Sequence, residues 1–409
     1  MDELLLRALD LARMRGAGYA DIRRVNTTQE RFVVRSGVVD TLSKDESTGF
    51  GVRVQFNGAW GFASSYNLSP AEVDRVTDLA VQIAKASALL VKEPAPLGPP
   101  VSSRGTYTTP IQIDPFTIPA SQKIDLLLAA DRGMASVQGI RSRQANLIFI
   151  KEDKVFANSE GAYVEQTIYE AGGGMQATAV GEGEVQRRSY PQTHGRHQGC
   201  AGWEYIAEMN LAENAERVAS EAVALLTADS CPADTITTVI IGGSQLALQV
   251  HESCGHPIEL DRVLGAEAAY AGTSFLTPEK LNNFQYGSEQ VNITADSLRL
   301  PGLGTFGWDD EGVPAQSTPI VQNGRFVGYL MSRETAHSLG LASNGCMRAA
   351  SWNRIPMIRM TNVSLEPGSW ELEDLIADTD DGILMETNRS WSIDDLRYNF
   401  QFGTEMGYE

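Results

Sequence analysis

Cysteine is scarce in this 409-residue sequence: the four residues Cys200, Cys231, Cys254 and Cys346 show no CxxC spacing, which excludes a disulfide scaffold and a zinc-finger framework. Long apolar runs are missing too. No stretch of 18 or more apolar residues occurs, and the chain opens Met1-Asp2-Glu3 where a secretory leader would carry positive charge, so the reading is a cytoplasmic protein with no membrane partner. Positive charge is short as well. Thirty-three Lys plus Arg stand against 52 Asp plus Glu, a net charge of −19, which argues against direct nucleic-acid contact. What remains is ordinary for a folded protein, 42% hydrophobic and 21% charged, with length for two or three domains.

The order of patterns predicts an α+β fold. Helical spacing over residues 2–14 is followed by Val-, Phe- and Thr-rich runs at 31–35, 38–42, 49–56 and 59–63, with Asn57-Gly58 as a hairpin turn. Ser69 and Pro70 announce a second helix, with apolar positions running from 73 to 90. Seven prolines between 94 and 119 read as an extended connection. A helix over 121–135, four strands between 145 and 180 and one long helix over 204–226 come next. The stretch 227–234 is the expected boundary. The division is therefore an N-terminal α+β domain, residues 1–230, of antiparallel sheet with flanking helices, and a C-terminal, mostly β domain, residues 235–409. In the second domain, 235–243 reads as a buried strand and 244–256 as a buried helix. Pro319 to Leu330 reads as a hairpin around Asn323-Gly324, and no long helix is expected beyond 281.

The helix read over 244–256 carries His251-Glu252-Ser253-Cys254-Gly255-His256, an HExxxH arrangement. Two imidazoles can bind zinc through neutral ring nitrogens, and a carboxylate beside the first can take a proton from metal-bound water. The spacing poses a problem. Positions five apart lie about 140° apart on an ideal α-helix, whereas positions four apart differ by about 40°. A π-type bulge or an early helix end would bring the rings together, with Gly255 as the permissive backbone.

His251-Glu252-x-x-Gly255-His256-x-x-Glu259-x-Asp261 resembles the signature of the TldD/PmbA family, metalloproteases also called modulators of DNA gyrase. Tyr19-Ala20-Asp21-Ile22-Arg23, Gly49-Phe50-Gly51-Val52-Arg53 and Gly58-Ala59-Trp60-Gly61-Phe62-Ala63 resemble its N-terminal domain. Asp310-Glu311-Gly312-Val313-Pro314-Ala315-Gln316, Arg359-Met360-Thr361-Asn362 and Asn399-Phe400-Gln401-Phe402-Gly403 resemble its C-terminal domain. The resemblance implies a TldD-type catalytic subunit that hydrolyses unfolded or extended peptides inside a dimer cavity, either as a homodimer or with a PmbA-type subunit. It implies zinc on His251 and His256, with Glu252 activating water and Glu259 and Asp261 orienting the histidines. The family's third zinc ligand is a cysteine near the C-terminus, and this sequence stops before it at Glu409. The expectation is a shortened C-terminal domain with weak zinc binding, or binding through a substitute ligand, and reduced activity. A non-catalytic, cavity-forming or adaptor subunit with an incomplete metal site is the alternative.

Other residues carry weaker chemistry. Cys254 offers a Cys/His hydrolase, Cys346 a substitute ligand, and His194 with His197 an HxxH pair more simply read as an exposed loop. Gly172-Gly173-Gly174 reads as strand bends or close backbone approach. The six tryptophans read as core or cavity wall, Asp309-Asp310-Glu311 as a solvated turn, and Arg348, Arg354 and Arg359 as cavity lining.

Overall fold

Long strands form where the sequence showed short ones. The computed structural model, which describes every residue except 1, 93, 95, 182, 233 and 234, opens with helix α1 (Glu3–Met14), whose Asp2 carboxylate accepts from the Leu4 N–H at 3.0 Å. Strands β1 (Tyr19–Arg35), β2 (Val38–Phe56) and β3 (Ala59–Ser65) follow. Asn57 and Gly58 close the second hairpin with φ of 48° and 78°, the geometry that favours this dipeptide. Helix α2 (Pro70–Ala88) starts at its proline, but Ser69 makes no side-chain capping bond.

Strand β4 (Arg104–Thr108) lies in the proline-rich connection, ahead of α3 (Ala120–Ala135), β5 (Ile140–Asn158), β6 (Tyr163–Val180), β7 (Val185–Tyr190) and β8 (His197–Gly199). The sheet order is β3-β2-β1-β5-β6-β4, with β7 and β8 also on β6. All pairs are antiparallel except β4 with β6. Strands run through polar stretches because their neighbours pair with them: Thr27 faces Ser47 on β2 and Glu152 on β5, so backbone bonding carries what side-chain apolarity does not. Instead of one helix over 204–226 there are two, α4 (Trp203–Glu208) and α5 (Leu211–Ala224). Asn210 between them is left-handed, at φ 47°, a conformation that asparagine tolerates through local hydrogen bonds such as Nδ2 to the Glu208 carbonyl at 3.1 Å.

The period of two on β1 sorts the packing. Ile22 joins a core with Leu5, Val76 and Ala80 of α1 and α2, and Phe32 and Val34 join another with Leu127 and Val218 of α3 and α5. Asp21 and Arg23, on either side of Ile22, turn to the opposite face, where Asp21 takes Arg53 of β2 and Arg23 reaches the Arg354 carbonyl and Asp310 of the C-terminal half.

That half begins with β9 (Thr238–Ile241), which is not the buried strand expected. It is a half-exposed edge, parallel to β16. Helix α6 (Gly243–Val250) is also only half-buried, with Gln245 its one fully buried residue. Two short helices, α7 (Leu260–Val263) and α8 (Ala268–Ala271), precede β10 (Ile293–Asp296), β11 (Ser317–Gln322), β12 (Arg325–Phe326), α9 (Arg333–Ser338), β13 (Met347–Arg348) and β14 (Met357–Ile358). Then come β15 (Asn362–Leu365), α10 (Leu372–Ala377), β16 (Gly382–Ile393) and β17 (Phe400–Tyr408). Three small sheets result, ordered β12-β11-β10-β15, β13-β14 and β17-β16-β9. Their core gathers Ile258, Leu260, Ile293, Ile320, Phe326, Tyr329 and Leu330. Among the described residues no helix is long and apolar enough to cross a membrane.

The seam between the halves is charged, and its acids are buried. Asp309, Asp310 and Glu311, expected in a solvated turn, are buried. Asp310 accepts from Lys154 Nζ at 3.0 Å and from the Ala349 N–H at 2.7 Å, and lies 3.6 Å from Arg23. Burial pushes its carboxyl up, but Lys154 and Arg23 outweigh burial and leave it below the usual range. Glu311 accepts from Arg53 at 3.3 Å and from the Arg333 N–H at 2.8 Å. The glycines of the 49–53 motif have a seam role as well: a Cβ on Gly49 would stand 2.4 Å from the Trp352 indole. Trp370 and Trp391 are exposed rather than core.

Candidate metal centre

Helix α6 does not continue as an α-helix through the motif. Residues His251–Gly255 form a π-helical turn in which the His256 N–H donates to the His251 carbonyl, an i to i+5 bond, and His256–Ile258 follows as a 3₁₀ turn. The wider turn cancels the angular offset of a five-residue spacing. The rings end with centroids 4.7 Å apart and planes at 83°. One ligand atom each from His251, Glu252 and His256 lies within 4.8 Å of the others, the sole such group of three or more His, Cys, Asp or Glu among the described residues. Gly255 takes an ordinary right-handed conformation, φ −57° and ψ −55°, so it is not there for a permissive backbone. It provides room: an added Cβ would lie 2.1 Å from the Met360 sulfur.

A chain of charges stands behind the second imidazole. His256 Nδ1 bonds Glu259 Oε2 at 2.9 Å, and Glu259 accepts two further bonds at 3.0 Å from Arg262 Nε and Nη2. A carboxylate only accepts, so Nδ1 carries a proton, and in the neutral ring the lone pair is on Nε2. Burial alone would raise the Glu259 carboxyl, but His256 and Arg262 prevail and hold it low. Arg262 continues to Glu267 at 3.2 Å, and Glu267 to Arg359 at 3.1 Å. His251 is exposed to solvent on one side, and the protein on its other side, then the neighbouring His256, push its imidazole below the usual range.

Asp261, expected beside Glu259 as a group orienting the histidines, does something else. It accepts from the backbone N–H of Arg262 at 2.8 Å and of Ile358 at 3.2 Å, tying α7 to β14. Burial pushes its carboxyl up to about 6. Glu252 is buried and paired with Arg397, from the turn between β16 and β17. Sequence reading missed Arg397, Arg262 and Glu267. Only Arg262, directly after the motif, sat where a search for motif partners would have looked.

The other candidates disperse. The Cys254 thiol is buried and pushed up to about 12, the opposite of an activated nucleophile. Cys346 is buried, its thiol raised by burial, and its sulfur donates to Asn344 Oδ1 at 3.3 Å. The rings of His194 and His197 turn to different neighbours, Trp391 and Tyr205. Gly174 lets the Gly195 carbonyl approach to 2.3 Å of where its Cβ would be, a close backbone approach of the kind expected. Arg348 and Arg359 do line a cavity of about 310 Å³ at the seam, with Lys154, Glu170, Trp308 and Asp310. Arg354 instead offers its carbonyl to Arg23 at 2.8 Å.

Comparison with known proteins bears on this arrangement. The chain matches three domains described for one family: PmbA/TldA metallopeptidase domain 1 over residues 20–84, the central domain over 113–226 and the C-terminal domain over 235–409. A protein named a metalloprotease in Methanocaldococcus jannaschii is 28% identical over 95% of this chain and 82% of its own length. One so named in Synechocystis is 30% identical over 90% and 75%. A zinc metalloprotease TldD homolog of Saccharolobus solfataricus is 28% identical over 42% and 36%. Among solved structures, a proposed modulator of a DNA gyrase from Thermotoga maritima superposes with a TM-score of 0.75 at 20% identity, covering 95% of this chain and 82% of that one.

Proposed function

This chain belongs to the PmbA/TldD metallopeptidase family, and from that premise we propose that it is a zinc-dependent peptidase acting on unfolded or extended peptides. The observation that carries the proposal is the convergence of His251, Glu252 and His256 ligand atoms within 4.8 Å. The donor set suits zinc: two imidazoles, one with its ring orientation fixed by Glu259, beside a carboxylate. When bound, zinc supplies Lewis-acid polarisation of the peptide carbonyl and lowers the pKa of a water.

The chain's own residues do the rest. His251 and His256 hold the ion, and Glu259, fixed by Arg262, keeps the His256 ring in its orientation. Glu252 takes the proton from water and returns it to the leaving amine. Arg397 engages Oε2 of Glu252, which leaves Oε1 as the oxygen for that proton. Neither Cys254 nor Cys346, both buried, joins the convergent ligand group. An extended peptide adding to an edge strand would be recognised through its main chain, with little demand on sequence. The same premise extends to assembly, a dimer of this chain or a pair with a PmbA-type subunit enclosing the site, working in the cytoplasm.

Zinc per chain measured by elemental analysis, beside peptide hydrolysis by the same preparation, tests the reading. About one zinc that His251→Ala removes, with hydrolysis that Glu252→Gln abolishes, is the expected result. Zinc without hydrolysis of any unfolded peptide would favour an adaptor or cavity-forming subunit instead.

A further inference from the structure

Glu252 lies close enough to both imidazoles to become a third metal ligand, and glutamate is a common one. A carboxylate that coordinates the ion is no longer free to take a proton. Resting on the metal reading above, we infer that Arg397 is the positioning residue that keeps Glu252 off the metal and so reserves it as a base.

The ion pair is largely shielded, with 13% of the Arg397 side chain and 10% of the Glu252 side chain exposed, so solvent screens it little. The turn that delivers the arginine is built for the purpose. Arg397 itself is left-handed, at φ 62°, uncommon for a residue other than glycine. The Asp394 carboxylate accepts from the Tyr398 N–H at 2.8 Å and from Asn399 Nδ2 at 2.7 Å, and its carbonyl accepts from the Arg397 N–H at 3.0 Å. The turn is then sewn to the segment after α8: Thr273 N–H donates to the Asp395 carbonyl and Phe275 N–H to the Leu396 carbonyl, both at 2.8 Å. Gly272, at φ 77°, is obligatory there, because a Cβ would stand 2.2 Å from the Asp395 carbonyl oxygen. Arg397 Nη2 finally reaches the Ala271 carbonyl at 3.3 Å, the same oxygen that Arg262 Nη1 holds at 2.7 Å. Two guanidiniums thus share one carbonyl, one behind His256 through Glu259 and one on Glu252. The backbone at residue 271 sets the spacing of both.

Zinc affinity, measured on the full chain by competition with a chromophoric chelator, tests this. Arg397→Gln is expected to bind zinc about tenfold more tightly, the scale on which groups behind the ligands act, and Arg397→Gln/Glu252→Gln to lose that gain. Arg397→Lys, which keeps the charge, should stay near the wild-type affinity. In hydrolysis, Arg397→Gln should lower kcat and leave KM in place. Glu252→Gln alone should leave zinc affinity unchanged, a check that does not depend on any Arg397 variant folding. A tenfold loss of affinity in Glu252→Gln, or unchanged affinity in Arg397→Gln, overturns the inference while leaving the metal site intact. A wild-type chain without zinc overturns the metal reading; the inference then survives only if Arg397→Gln gains zinc that Glu252→Gln removes, and falls otherwise.

Discussion

The seam between the two halves and the π turn draw on the same residue types, buried carboxylates beside arginines, to different ends. At the seam, Asp310 takes donors from both halves, Lys154 from one and the Ala349 N–H from the other, while Glu311 takes Arg53 and the Arg333 N–H. At the π turn, Glu259 saturates one edge of His256 and leaves the other nitrogen with a lone pair, beside His251 and Glu252. Three seam acids in a row make no ligand group; two histidines and one acid do. An acidic cluster is therefore structural or chemical according to which of its neighbours' lone pairs remain unclaimed.

The largest effect expected is at the turn. Glu252→Gln should slow hydrolysis by about 10² to 10⁴-fold, the usual contribution of a positioned general base, with zinc content unchanged and cooperative unfolding retained, at some loss of stability because Arg397 loses its shielded carboxylate partner. A variant that instead lost its cooperative unfolding would make Glu252 a seam-like, structural acid. At the seam, Asp310→Ala takes away the buried carboxylate that Arg23 faces and leaves Lys154 with Glu152 alone, which should cost about 3 kcal/mol in urea unfolding. Zinc content of the folded protein should hold. If stability were unaffected and zinc fell, the two regions would have exchanged roles.

Glu259→Gln sits between these cases. It keeps the shape but removes the charge that orients His256, and should weaken zinc binding by about 10 to 100-fold. The smallest effect concerns Asp261, whose folded pKa of about 6 lies above the value near 3.9 of an unfolded chain. A carboxyl raised on folding favours the folded state when protonated, so stability falls as pH rises from about 4 to about 6. Asp261→Asn should flatten that fall, by on the order of 1–2 kcal/mol between pH 4 and 7. Melting temperatures across that range would show it, and an unaltered slope would remove Asp261 from the comparison.

Much of the site was legible from residue spacing. The five-residue interval between His251 and His256 demanded a local departure from α geometry, and the π turn supplies it. The reason assigned to Gly255 was mistaken, since its need is space for Met360 and not backbone freedom. Asp261 looked equivalent to Glu259 in sequence, but the break from the 3₁₀ turn at His256–Ile258 to α7 turns its carboxylate toward backbone N–H groups. In the fold, alternation and hairpin dipeptides revealed strands wherever one face was apolar. The lengths of β1, β2, β5 and β6 escaped that reading, because polar stretches stay extended only once a neighbour pairs with them.

Local chemistry was thus the sequence's own to determine: strand against helix, the turns at Asn57-Gly58 and Asn323-Gly324, and the adjacency of two imidazoles and a carboxylate within six residues. These depend on neighbours along the chain, which the sequence states directly. Only the tertiary structure decided that Asp310 meets Lys154, 156 positions away, and that Arg397 meets Glu252 across 145. Long-range pairs are selected by strand register, sheet order and the docking of one turn upon another, and none of these leaves a mark in the spacing of the residues it joins.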